Sequence, residues 1–268
     1  MTLICLPDAV HRDEDYSLDP EVVESLWHME ERHFWHRARN GWILDALAEF
    51  GAPPPCPVLE VGCGSGAVAT ALQGAGYQVT GVDTAEHLAR KADERCPRAT
   101  FIVGDVALLP EQHRGPFQVI GFFDVLEHLS APEQLLRAAI KFAAPGALLV
   151  ATVPALRSLY SVVDELSGHK LRYEQGELAK LFESVGASDV VEHGIFSATL
   201  PFQRLARARK EADTTNPATR RSIMCQALRV PPQPVNAALG LVARVERWTG
   251  LRSARGRAGA TILSLIHI

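Results

Sequence analysis

Residues 58–66 read Val-Leu-Glu-Val-Gly-Cys-Gly-Ser-Gly, and no other stretch of this chain restricts its fold as tightly. An apolar run suited to a buried strand meets three glycines at alternate positions, and a helical pattern starts directly behind them at Ala67. A strand, a side-chain-free bend and a helix N-terminus in succession let a ligand approach the backbone. They also aim the first helical amides at it.

The alternation continues along the chain. Strands are expected at 58–61, 78–82, 100–103, 117–123, 147–153 and 189–192, and helices at 67–75 and 85–95. A third helix is expected to open on Ser130, with Glu133 completing a capping box, and to stop at Ala144-Pro145-Gly146. A fourth carries Leu178, Leu181, Phe182 and Val185 on one face and closes at Gly186. Strands apolar on both faces, alternating with helices, imply a parallel sheet covered on both sides. The expected class is α/β, with a doubly wound, mostly parallel seven-stranded sheet. Its last strand, Ala260–Ile268, would pair antiparallel at one edge.

Three regions follow from this pattern. Residues 1–52 form an N-terminal helical cap entered at Asp19-Pro20, and 53–196 form the α/β domain. Residues 197–268 add the edge strand and amphipathic helices near Leu200–Ala212 and Val235–Trp248. Ligands of such sheets sit at the carboxyl ends of the strands, near the switch in strand order. That gathers Gly62–Gly66, Asp83, Asp105 and Asp124–His128 along one rim.

Composition narrows the setting. No segment approaches the roughly 18 uncharged apolar residues of a membrane span, and the N-terminal residues lack the basic and apolar regions of a secretory leader. Cys5, Cys56, Cys63, Cys96 and Cys225 are scattered without CxxC spacing, so reduced thiols in a cytoplasmic protein are expected, with no disulfide framework and no metal site. Residues 1–199 carry 15 Lys and Arg against 28 Asp and Glu, whereas residues 200–268 carry 12 against 3. The basic C-terminal third fits a solvated face or peripheral contact with an anionic membrane, and its helices equally suit the wall of a substrate pocket.

The glycine pattern with Ala67 also meets the loose dinucleotide pattern G-x-G-x-x-A, with Asp83 placed as a ribose-binding acid. Three features point elsewhere: Glu60 before the glycines, Gly104-Asp105 after the third strand, and Asp124-Val-Leu-Glu-His128-Leu after the fourth. Together these resemble the class I S-adenosylmethionine (SAM)-dependent methyltransferases, particularly the branch with a Leu-Glu-His signature. That branch includes quinone-biosynthesis O-methyltransferases and enzymes of sugar and natural-product pathways. The resemblance covers about residues 57–194 and implies a Rossmann-like methyltransferase fold with SAM as cofactor. Gln118, often aspartate in relatives, and Pro145-Gly146-Ala147, usually Pro-Gly-Gly, are departures away from the implied cofactor site.

On this resemblance Glu60, Gly62, Gly64 and Gly66 hold the methionine portion. Asp83 accepts from the ribose hydroxyls, Asp105 with the Val106 amide reads the adenine, and Asp124 faces the methionine side. The structural alternatives are a tight turn for the glycines, strand-end caps for Asp83 and Asp105, and a helix-start acid for Asp124. Methyl transfer depends on placing an in-line nucleophile, and a hydroxyl nucleophile gains from a base that titrates near neutrality. His128 on the rim and His169 in Gly168-His-Lys-Leu-Arg-Tyr173 are the catalytic candidates, the first weighed against a structural hydrogen bond and the second against loop anchoring. His28, His33 and His36 lack a third ligand of matching spacing and read as packing or surface residues. Phe34-Trp35 reads as a lid over the cofactor or as helix core.

The implied reaction is O-methylation of a small or lipid-linked acceptor. Two alternatives stay open: a nicotinamide-dependent oxidoreductase, which lacks a Tyr-x-x-x-Lys constellation here, and a catalytically silent cofactor- or partner-binding module. A nucleic-acid substrate is not expected, since no aromatic and basic stacking platform is evident.

Overall fold

The computed structural model describes residues 3–6, 20–109, 111–207, 214–251 and 255–268. The chain order is β1 (Leu3–Cys5), α1 (Pro20–Arg32), α2 (Phe34–Glu49), β2 (Pro57–Val61), α3 (Ala67–Gly74), β3 (Gln78–Asp83), α4 (Glu86–Arg95) and β4 (Thr100–Val103). Next come β5 (Phe117–Phe123), α5 (Pro132–Ile140), β6 (Ala143–Pro154), α6 (Val162–Leu166), α7 (Glu177–Glu183) and β7 (Val191–Ile195). The chain ends with α8 (Leu200–Arg207), α9 (Pro217–Ala227), α10 (Gln233–Trp248) and β8 (Thr261–His267). The strands form one sheet in the order β1-β4-β3-β2-β5-β6-β8-β7.

The expected α/β sheet is present, and its switch in strand order lies between β2 and β5, which are parallel neighbours. Successive residues of β2 go to opposite faces, as the strand period demands. Val58 joins the core cluster with Val79, Val119 and Val150, and Leu59 the cluster with Ile102, Ile120 and Leu149.

The structure departs from expectation at several elements. Among the described residues the sheet has eight strands rather than seven, because Leu3–Cys5 adds to β4 in parallel register. The last strand is interior rather than at an edge: β8 is antiparallel to both β6 and β7. Residues 261–266 are all buried, and the seven-residue run is long enough to hydrogen-bond on both sides, leaving five-residue β7 at the edge. β7 itself starts at Val191 rather than 189, since Asp189 has φ +59°, outside the strand region.

The capping box does not form. Proline at 132 keeps Ala131 out of helical geometry, so α5 begins after it with no side-chain cap, and it ends at Ile140. A capping box does occur at Ser161 and Asp164, which opens α6. The polar stretch between the two predicted C-terminal helices holds a further helix, α9, opened by the Asn216 side chain on the Ala218 amide with Pro217 in its first turn. Asp19 and residues 208–212 lie outside the described residues. No helix among those described is long and apolar enough to cross a membrane.

The break between α1 and α2 at His33 is bridged by α10. Buried Asn236 accepts from Phe34 N (2.9 Å) through Oδ1 and donates to Arg32 O (2.8 Å) through Nδ2. Asn236→Ala leaves a buried amide and carbonyl unpaired. It is expected to cost about 2 kcal/mol in urea unfolding, and an unchanged midpoint would show that the junction relaxes freely.

Candidate active site

The carboxyl ends of β2, β3, β4 and β5 open onto one cleft of about 2020 Å³. That exceeds the roughly 300–1,000 Å³ of a single small-ligand pocket, so the volume suits a cofactor and an acceptor together. Glu60, Gly62, Gly64, Asp83, Asp105, Val106, Asp124, His128 and His169 all line it. Gly66 does not. A Cβ there would lie 2.8 Å from the Ala92 Cβ and 2.9 Å from its Cα, so this glycine lets α3 pack against α4 and makes no wall of the cleft.

Gly64 has φ +50°, and a Cβ built there meets nothing within 4 Å. Its amide donates to Asp83 Oδ2 (2.7 Å), while Asp83 Oδ1 accepts from Ala85 N (2.8 Å). Asp83 therefore ties the glycine bend to the start of the following turn, and burial raises its carboxyl. Asp105 is exposed and caps the turn at Val106–Leu108 by accepting from Ala107 N (2.8 Å). The Val106 amide stands in the first turn of that short helix, where no acceptor exists within the turn. Both acids thus have the capping role considered from sequence while facing the cleft.

Glu60 is flanked in register by Gly81 on β3 and Gly121 on β5. It is buried, and its Oε2 has no partner among the described residues. Burial pushes its carboxyl up to about 8, with the charge of Arg39 opposing. A buried acid with an unsatisfied oxygen beside an open bend fits a ligand cation or donor.

Asp124 has φ +56° at the end of β5. It pairs with the buried Arg39 guanidinium and accepts from Thr152 Oγ1 (3.2 Å). Arg39 lies in α2, and a sequence signal existed for it in the arginine-bearing helix ahead of the glycines. Its role emerges only where the chain brings α2 over β5. An arginine between Glu60, Asp124 and the cleft suits a ligand carboxylate. Trp35, one turn earlier, lines the cleft and stacks on buried Phe196 (5.5 Å between centroids), so this aromatic is both core and roof.

The two candidate histidines meet. His128 ends the short helix Leu126–His128, and its ring centroid lies 4.7 Å from that of His169 at 86°. The loop bearing His169 is pinned there by Lys170 N donating to Glu127 O (2.7 Å). His169 Nδ1 is 3.1 Å from Asp164 Oδ1, and the same oxygen receives Arg172 Nε at 2.8 Å. Asp164 Oδ2 accepts from Ser161 N and Oγ (2.9 Å each) and from Arg207 Nη1 (2.5 Å). Burial pushes the Asp164 carboxyl up, but the bonds from His169 and Arg172, with the charges of Arg207 and Arg172, outweigh it and hold it well below the carboxylate range. With Nδ1 donating to this fixed anion, Nε2 of His169 is the acceptor nitrogen, 4.0 Å from the buried Glu127 Oε1. Asp164 was not singled out in the sequence, although Ser161-x-x-Asp164 and Asp164-x₄-His169-x₂-Arg172 hold its pattern.

Glu127 is fully buried, and its carboxyl is raised well above the ordinary value by burial and by the charge of Asp124. Glu127, His128 and His169 offer ligand atoms within 4.8 Å of one another, a set compatible with a cation although the sequence pointed to no metal. Of the N-terminal histidines, His28 is a surface residue beside Glu24 (2.9 Å), and His33 and His36 pack at the wall of the cleft. His33 is lowered to about 4 and His36 falls well below its ordinary value, both chiefly by burial.

A family profile described as a methyltransferase domain matches residues 34–212. A ubiquinone biosynthesis O-methyltransferase from Maricaulis maris is 29% identical over 171 residues, covering 56% of this chain and 66% of the relative. One from Xanthomonas campestris is 33% identical over 116 residues, covering 42% and 48%. The chain thus spans about half to two thirds of the length of these curated relatives. Among solved structures, a SAM-dependent methyltransferase from Thermotoga maritima matches with TM-score 0.54 at 14% identity, covering 91% of this chain and 94% of that one. Phosphoethanolamine N-methyltransferase 2 of Haemonchus contortus, in complex with SAM, matches with TM-score 0.53 at 15% identity, covering 82% and 50%. At these identities the structural likeness concerns the fold. The nicotinamide-dependent reading finds no support in these matches.

Proposed function

The chain belongs to the methyltransferase-domain family of class I SAM-dependent enzymes, and from that premise we propose that it methylates an oxygen of a small-molecule acceptor with histidine assistance. The observation carrying this reading is that the Asp164–His169–His128 cluster opens on the same cleft as the glycine bend. Bound SAM supplies an electrophilic methyl group. Asp83 takes the ribose hydroxyls, Asp105 and the Val106 amide the adenine, Arg39 the methionine carboxylate and Glu60 its ammonium end. Asp124 acts on the methionine side through Arg39.

The remaining chemistry is positioning. An acceptor hydroxyl held beside the cluster would give its proton to His169 Nε2, and SAM held at the glycine bend would supply the methyl group to that oxygen and leave as the neutral thioether. Relatives named for O-methylation support an oxygen nucleophile. The apolar roof of Phe202, Met224 and Leu228 over the cleft favours an acceptor with an apolar portion, lipid-linked in the finer reading. Five free cysteines accord with a cytoplasmic setting. Transfer of labelled methyl from SAM to phenolic and alcoholic acceptors tests the proposal, and folded protein that neither binds SAM nor labels any acceptor would end it.

Glu60 gives a pH-dependent expectation. With its carboxyl at about 8, the group is protonated at pH 7 in the free protein, and an ammonium placed beside it favours the charged form. SAM binding is therefore expected to release most of one proton near pH 7. Calorimetry in buffers of different ionisation heat reads this directly, and Glu60→Gln should abolish the buffer dependence. The same raised value means the folded state holds the proton more tightly than the unfolded chain. The Glu60 contribution to stability is thus full below the unfolded value and lost as pH rises through about 8.

A further inference from the structure

α10 turns polar residues inward and apolar ones outward. At about 100° per residue, Asn236, Ala243 and Glu246 form the side buried toward the protein, Asn236 bridging the α1–α2 junction. The opposite side shows Val235, Leu241, Val242, Val245 and Trp248 to solvent, and Trp248 is 88% exposed. A surface helix ordinarily turns charged residues outward, yet the one charged residue in this exposed arc is Arg244. α8 repeats the feature with Leu205 74% and Phe202 60% exposed, beside Arg204.

Charge decides what covers this surface. Residues 200–268 hold 12 Lys and Arg against 3 Asp and Glu. The only acid of this segment among the described residues is Glu246, buried and accepting from Ser197 N (2.7 Å) and Ala198 N (3.3 Å). Behind the stripe, on α2, Asp45 is already paired with Arg247 (2.7 Å), and Glu49 is the other acid. A second copy of the same face would oppose arginine to arginine. An apolar stripe ended by tryptophan and accompanied by exposed Arg244 and Arg204 complements an anionic lipid surface, where the indole ring suits the headgroup level. We propose that α10, assisted by the exposed apolar side chains of α8, docks the protein peripherally on anionic bilayers. Phe202 of α8 and Leu239 of α10 line the cleft, so docking brings its wall to the bilayer.

The test needs no methyl transfer, so its outcome is separate from that of the proposed chemistry. The full-length protein is floated with phosphatidylcholine vesicles and with vesicles containing phosphatidylglycerol, at low and high salt, while Trp fluorescence is recorded. Binding to the anionic vesicles, weakened by salt and lowered about tenfold or more by Leu241→Glu with Val245→Glu, is the expected result. Trp248→Phe should remove the blue shift that accompanies binding. The doubly substituted positions are exposed, so an unchanged thermal midpoint shows that folding is intact. Equal binding to both vesicle types, or anionic binding untouched by the double substitution, overturns the proposal. A concentration-dependent dimer that the double substitution dissolves, with no vesicle binding, overturns it in favour of a second copy.

Discussion

An Asp83→Ala variant is expected to bind SAM about 100-fold more weakly than the wild type, the largest single-residue loss of cofactor affinity in this site. One carboxylate accepting two ribose hydroxyls makes charge-assisted bonds of at least about 1.5 kcal/mol each, close to 3 kcal/mol for the pair. A loss of roughly 2.7 kcal/mol is a factor of 100. Asp83 has a second task, since it holds the Gly64 and Ala85 amides at 2.7 and 2.8 Å. Its removal therefore also loosens the bend against which the cofactor backbone would lie. Asp105 is exposed and caps one amide, so competition from water makes Asp105→Ala the milder change, about tenfold. Calorimetric titration of folded variants separates the two. If Asp83→Ala keeps wild-type affinity, the acid is a strand-end cap alone and the cofactor assignment of the rim fails.

The ease of reading the rim and the difficulty of reading its surroundings have one physical cause. Local patterns report local structure. The strand ends, the glycine bend and the acids after β3, β4 and β5 lie within a few residues of the signals that announce them. Arg39 is different, because its partner lies far along the chain, and Asp164 joins the near partners Ser161, His169 and Arg172 to a distant one. Arg39 reaches Asp124 across 85 residues, and Asp164 receives Arg207 across 43. The place of β8 is likewise non-local: an apolar run announces a strand, whereas insertion between β6 and β7 depends on hydrogen bonds to both. Where local signals competed, the stronger steric rule won. Ser130 and Glu133 had capping-box spacing, but proline at 132 barred the helix from starting there. Gly66 shows the converse, a motif residue whose reason is packing against Ala92 rather than ligand contact.

His169→Ala is expected to lower kcat by about a thousandfold, within the range for loss of a positioned general base, while SAM affinity stays within about twofold. The split follows from the geometry. His169 stands beside His128 on the proposed acceptor side, with Nδ1 held by Asp164 and Nε2 4.0 Å from buried Glu127 Oε1. His128 meets the His169 ring edge-on at 4.7 Å between centroids, and His128→Ala should cost closer to tenfold through acceptor placement. Asp164→Asn offers a bond of the same shape without the charge that stabilises an imidazolium. Its signature is a kcat loss of roughly 10- to 100-fold with the acidic limb of the rate profile moved to lower pH, because the uncompensated imidazole is less basic. Losing the charge also leaves Arg172 and Arg207 with a weaker partner in a buried site, so the melting midpoint is measured alongside. If His169→Ala retains wild-type kcat, acceptor deprotonation does not pass through this histidine, and the Asp164 cluster is a loop anchor beside a cleft that acts by proximity alone.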